Sequence, residues 1–394
     1  MSGQRTLKLQ WVVIANFLNN TGAAFLWPLT TMYMHNYLHQ TLTTAGVVLF
    51  IMSCMMMAGN YLGGWLFDHW SPYLTALIGA VIATASIILL VFFHGWPIFA
   101  ILIMVNSFGD GINGTISNSY GTHVGGHSAR YVFNVLYMAL NMGIVVGTLM
   151  VGVLLPIGVT LTFTVAAVFY VLLTLIILLT FNVHFERQRH PKRQPASHSV
   201  NRSSLHHDMI VLVWLICLNY ACLHFGYSQW ESVMSVHMTN MGIPFWAYSM
   251  LWTINGVEIM VGQPLMNLLN GRIHLDTQIM IGVVIFASSF ALLVFCHTLP
   301  AFIADFVWLT IGEIMSIAGV PAWVSSLTDV DEAGHYQGMV SICMSAGRAI
   351  GPLYGGLVIE HASYQVLFLS VAALMLVTLG FVYLGDWHLK NKQA

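Results

Sequence analysis

The sequence predicts an all-α integral membrane protein with twelve transmembrane helices in two pseudo-symmetric six-helix bundles. Three observations carry that prediction. Only 7% of the 394 residues are charged and 58% are hydrophobic, whereas a soluble domain carries about a quarter charged residues. The apolar residues fall into twelve runs long enough to cross a bilayer core, which is about 30 Å thick and takes about 20 residues at about 1.5 Å rise each. One long polar stretch, Asn182 to Asp208, separates the sixth run from the seventh. The chain therefore divides into a first bundle over 1–181, a cytoplasmic linker over 182–208 and a second bundle over 209–394.

Cutting at polar and Gly/Pro punctuation gives the spans in order. Span one, 11–35, follows Arg5 and Lys8 and lacks a small-residue cleavage site, so it is expected to stay as a helix and not be removed as a signal. Span two, 43–67, runs into Gly64 and Asp68; span three, 72–94, opens on Pro72; span four, 97–119, carries Ser107-Phe108-Gly109-Asp110. Span five, 131–154, holds Gly143, Gly147 and Gly152, and span six, 158–181, ends at the polar stretch. Span seven, 209–236, carries Gln229-Trp230-Glu231, span eight, 244–268, carries Glu258, and span nine covers 276–296. Span ten, 301–327, contains Asp305 and Thr310-Ile311-Gly312-Glu313; span eleven, 336–359, contains Gly347 and Arg348; span twelve closes the array over 364–385.

Positive charge orients the array, because cytoplasmic loops hold the Lys/Arg excess. With both termini inside, every cation except Arg348 is cytoplasmic: Arg5, Lys8, Arg130, Arg187, Arg189, Lys192, Arg193, Arg202, Arg272, Lys390 and Lys392. The net charge of −2 leaves no basic face for nucleic acid. The five cysteines lie in apolar runs without zinc-site spacing and are expected to be buried thiols. Most of the 18 histidines fall near span ends, where a solvated role is expected, and no metal site is read from them. No G-x-x-x-x-G-K-[ST] motif is present, so no nucleotide-driven step and no cofactor is called for.

The halves repeat each other. Gly143, Gly147 and Gly152 recur as Gly347, Gly351 and Gly356, each 204 residues on, and Asp110 recurs as Glu313, 203 residues on. Glycines four or five apart let helices approach closely. Two parallel six-helix repeats, together with Gly64-Trp65-Leu66-Phe67-Asp68 after span two and Gly347 followed by Gly351-Pro352-Leu353-Tyr354-Gly355-Gly356 in span eleven, resemble the major facilitator superfamily. The chain is most similar to its bacterial twelve-span drug:proton antiporters, of the LmrP type. It departs from the family pattern where His69, Ser71 and Pro72 replace the usual Arg, Gly and Arg, and where Thr148 replaces the span-five proline. The resemblance implies that spans one, four, seven and ten line a central cavity. It also implies that Glu231 and Glu313 occupy acid positions used in coupling and cation recognition, that a further acid position falls at Leu136, and that Asp68 helps hold span two against span eleven.

Ionisable groups inside a bilayer are costly, so they face a cavity or a partner. Asp110, Glu258 and Glu313 are expected deep, with Arg348 the one intramembrane cation, while Asp305 and Glu231 are expected near the outer surface. Desolvation favours the neutral form of a carboxyl and a nearby cation favours the charged form. Glu313, Asp110 and Glu231 are therefore the candidate proton-coupling groups, and the same three with Asn19 and Trp230 are the candidate substrate contacts. The competing structural reading makes these acids helix-neighbour hydrogen-bond acceptors, or pairs Arg348 with Glu258 or Glu313. Gating and structural roles fall to Gly64, Asp68, Gly143, Gly147, Gly347, Arg348, Gly351, Pro352, Gly355, Gly356 and Glu258. The leading expectation is a monomeric secondary transporter of the cell membrane that exports hydrophobic, cationic small molecules against protons, because cavity acids outnumber cations. Proton-coupled uptake of a nutrient and lipid flipping are the alternatives, and a receptor or intramembrane enzyme fits less well.

Overall fold

The computed structural model describes residues 7–122, 129–183, 205–269, 273–328 and 333–393, and these are overwhelmingly helical. In the first half, α1 (Leu9–Met32) continues through a π-helical turn at Tyr33–Tyr37 and is followed by α2 (Leu42–His69), α3 (Pro72–Phe92), α4 (Ile98–Thr122), α5 (Ala129–Leu154) and α6 (Val159–Thr180). In the second half, α7 (Leu205–Ser232) and α8 (Met234–Asn240) make one crossing, interrupted at Val233. Then come α9 (Phe245–Leu269), α10 (Leu275–Leu292), the interrupted pair α11 (Leu299–Ser316) and α12 (Val320–Leu327), α13 (Ala333–His361) and α14 (Tyr364–Gln393). Ten helical stretches are long and apolar enough to cross a membrane, and α1 and α9, with 24 and 25 residues, complete the twelve. Most of the expected linker lies outside the described residues, although α7 already begins at Leu205. Arg5, Arg187, Arg189, Lys192, Arg193, Arg202 and Arg272 also lie outside them.

Local chemistry accounts for the helix starts. The Thr41 hydroxyl accepts the Thr44 N–H at 3.0 Å and caps α2. Ser71 caps α3 by accepting the Leu74 N–H at 3.4 Å, and Pro72 occupies its first turn. Two of the three residues that break the family's loop pattern, Ser71 and Pro72, therefore start a helix.

The repeated glycines do the same job in each half. A methyl group at Gly143 would lie 2.8 Å from the Phe17 carbonyl oxygen on α1, and one at Gly347 would lie 2.1 Å from the Ala221 carbonyl oxygen on α7. Gly147 meets Thr21 and Gly351 meets Phe225 in the same two crossings. The third pair joins the halves: Gly152 lies against Ser249 of α9, and Gly356 against Leu42 of α2. Gly46 also meets the Pro352 carbonyl, and Gly355 meets Gln229.

One end of the array is defined by ion pairs. Lys390 near the end of α14 pairs with Asp276 at the start of α10 and with Asp386. Lys392 reaches Asp208 in the first turn of α7 at 2.6 Å. The described contacts between halves, α2 with α13, α5 with α9 and α1 with α7 and α8, cluster toward the opposite end. There Glu360 accepts both the Thr43 backbone N–H at 2.8 Å and its hydroxyl at 2.6 Å. Toward the terminal end, Tyr61 and Trp65 of α2 and Ile342 of α13 are exposed.

Candidate functional site

Inside the second bundle, α7, α9, α11 and α13 each bring one polar group to a common point. Arg348 of α13 pairs with Glu231 of α7, and the two side chains are 32% and 16% exposed. The guanidinium also lies 5.4 Å from the ring centre of Trp27, contributed by α1 of the other half, and 5.9 Å from that of Tyr227. Glu313 of α11 accepts the Asn255 side-chain N–H of α9 at 2.9 Å, and Asn255 also donates to Thr310 at 3.0 Å. Tyr227 packs edge-on to Trp252, whose ring meets Phe306. Two acids, one base and an aromatic wall thus converge where the bundles meet.

Several expectations change. Glu231 is not a wet surface acid: the span continues beyond it through α8 to Asn240, and it pairs with Arg348. Arg348 is paired with Glu231 and with neither Glu258 nor Glu313. Asp305 is 4% exposed and accepts the Ser289 hydroxyl at 2.9 Å, so it too is interior. Asp110 does not join the cluster. It lies within the first bundle, where both carboxylate oxygens accept the Tyr170 hydroxyl of α6, at 2.9 and 3.0 Å. Trp230 is fully buried, its ring 4.3 Å from that of Phe306, and Asn19 is buried with its Oδ1 unpartnered among the described residues. Asp68 lies on the last turn of α2 at the terminal end. Two histidines are not solvated: His237 packs on Tyr364, and His224 is 6% exposed with both ring nitrogens unpartnered among the described residues. Sequence reading passed over His224, although its place in the middle of span seven marks it as intramembrane.

The sequence profile of the Major Facilitator Superfamily matches residues 12–274 and 234–392. YttB, an MFS-type transporter of Bacillus subtilis, is 35% identical over 399 residues, which covers 99% of this chain and 98% of that protein. The chain belongs to the major facilitator superfamily. As such it is a multi-pass membrane protein that moves a small molecule across a bilayer, and it is not an enzyme. A partial likeness, 30% identical over 134 residues, links it to the methyl viologen resistance protein SmvA of Salmonella typhimurium and covers 33% of this chain and 27% of that one. Among solved structures, the peptide transporter PepTSo superposes with a TM-score of 0.79 at 14% identity, covering 97% of this chain and 98% of that one. The nucleoside transporter NupG superposes with a TM-score of 0.76 at 16% identity, covering 96% and 98%. At these identities the superpositions speak for the fold alone.

Proposed function

We propose that this superfamily member is a proton-coupled secondary transporter that exports hydrophobic, cationic small molecules across the cell membrane. It works as a monomer whose bundles, 1–181 and 209–394, rock about the central cluster, with both termini and the 182–208 linker in the cytoplasm. In that orientation the bundles are open to the inside, the state that takes up an exported compound. The observation that carries the reading is the unequal treatment of the two acids. Glu231 is committed to Arg348, whereas Glu313 is held by the neutral Asn255 amide and keeps no dedicated counter-charge. A carboxyl held that way can take a proton from one side and release it to the other, and its ionised form makes the cluster net negative, which favours a cation. The partial likeness to a methyl viologen resistance protein supports a cationic substrate, since methyl viologen is a dication.

Glu313→Gln keeps shape and hydrogen bonding while fixing the neutral state. In liposomes containing the purified variant, flux driven by an imposed pH gradient should be lost while downhill exchange persists. Wild-type gradient-driven flux in a stable Glu313→Gln protein would refute the coupling role.

A further inference from the structure

A groove of about 650 Å³ lies between α9 and α11 on the second bundle. Its walls are apolar, built from Ile254, Val257, Val261 and Leu265 of α9 and Ile311 and Ile314 of α11. Helix rotation tells which way it opens. At about 100° per residue, Gly256 points at Val145 of α5, Asn255 at Glu313 and Trp252 at Tyr227. Val257 and Val261 lie on the opposite side of the helix and are 52% and 58% exposed, so the groove faces the membrane, turned away from the central cluster.

Two polar side chains sit in this wall. Glu258 reaches it from the middle of α9, at mid-bilayer depth, and Thr253 lies just over one turn earlier. Glu258 Oε2 and Thr253 Oγ1 are both buried without a hydrogen-bond partner among the described residues. Among the described residues, no Lys, Arg or His lines the groove. A carboxyl at that depth beside lipid is costly unless something complements it, and an acid over an apolar trough is complementary to a molecule that carries one positive charge on an apolar body.

We propose that this groove is a membrane-facing binding site for an amphiphilic organic cation drawn from the bilayer. The charge lies against Glu258, and the apolar body lies between α9 and α11. The site is separate from the Arg348–Glu231–Glu313 cluster. It stands on its own lining, so it holds whether or not Glu313 couples transport to protons.

The test reads equilibrium occupancy without any gradient, which keeps it distinct from the coupling experiment. Protein in lipid nanodiscs is irradiated with a benzophenone-tagged alkyltrimethylammonium, and the cross-linked peptides are mapped by mass spectrometry. Labelling is expected on the 254–265 and 311–315 segments. Tetraphenylphosphonium should compete it away, while tetraphenylborate, of the same shape and opposite charge, should not. Glu258→Gln should weaken labelling of these segments about tenfold or more, as expected for losing one charge-assisted contact. Val261→Trp, which fills the trough and leaves the acid in place, should do the same. Equal labelling in both variants, equal competition by the borate, or cross-links confined to other helices would overturn the proposal. The competition arm needs no variant, so a poorly folding substitution leaves the outcome readable.

Discussion

The Arg348–Glu231 pair gives the sharpest energetic prediction. Glu231→Gln removes one partner and strands the guanidinium inside the second bundle. Breaking a fully buried pair in this way costs about 3–5 kcal/mol, because the remaining charge keeps its desolvation penalty without its attraction. Two features reduce that here. The Arg348 side chain is 32% exposed, so solvent screens part of the loss, and the Trp27 and Tyr227 rings within 6 Å retain about 0.5–2 kcal/mol of cation–π attraction. A cost of about 1–4 kcal/mol remains. Replacing both charges, Glu231→Leu with Arg348→Met, removes the stranded charge and should be less destabilising than Glu231→Gln alone, with a coupling energy of about 2 kcal/mol. Thermal unfolding of the purified single and double variants in one detergent measures this. A Glu231→Gln protein as stable as wild type, or a double variant whose cost equals the sum of the singles, would refute the ion pair as the device that holds α7 to α13.

Three further outcomes are expected. Glu360→Ala deletes two hydrogen bonds to Thr43, a loss of about 1–3 kcal/mol at the closed end. The population should shift toward the state open at that end, read as faster labelling of a cysteine placed at Leu42 with unchanged thermal stability. Gly356→Val puts a Cβ 2.5 Å from the Leu42 carbonyl oxygen across the two halves, so it should block closure there while the protein still folds. Gly347→Val, with its Cβ 2.1 Å from the Ala221 carbonyl oxygen inside one bundle, should instead lower the yield of folded protein; size-exclusion profiles alongside labelling rates separate the two effects. Cysteines at Ser199 and His39 should react with a membrane-impermeant reagent from opposite sides of the membrane, and reaction of both from one side would rule out the twelve-span arrangement.

The spans, the division into halves and the glycine repeat were legible in the sequence because each depends on local properties: run length, hydropathy and spacing along one helix. The glycines went further, since an offset of 204 residues that recurs three times already implies two equivalent crossings, and Gly143 of α5 against α1 and Gly347 of α13 against α7 are those crossings. Mid-membrane acids were also visible as a set. Their division of labour was not. Glu231 and Arg348 are 117 residues apart in sequence, and whether Arg348 meets Glu231, Glu258 or Glu313 depends on how α7, α9, α11 and α13 are rotated about their axes, a property of packing between helices that hydropathy does not encode. The same rotation turns Asp110 toward Tyr170 in the first bundle while its repeat counterpart Glu313 faces Asn255, and turns Glu258, three residues past Asn255, out toward the membrane. Sequence alone therefore determined a twelve-span transporter fold with several costly acids in it. Only the tertiary structure decided which acid meets a cation, which meets a neutral amide and which faces lipid, because those outcomes depend on the few ångströms and tens of degrees set where helices distant in sequence cross.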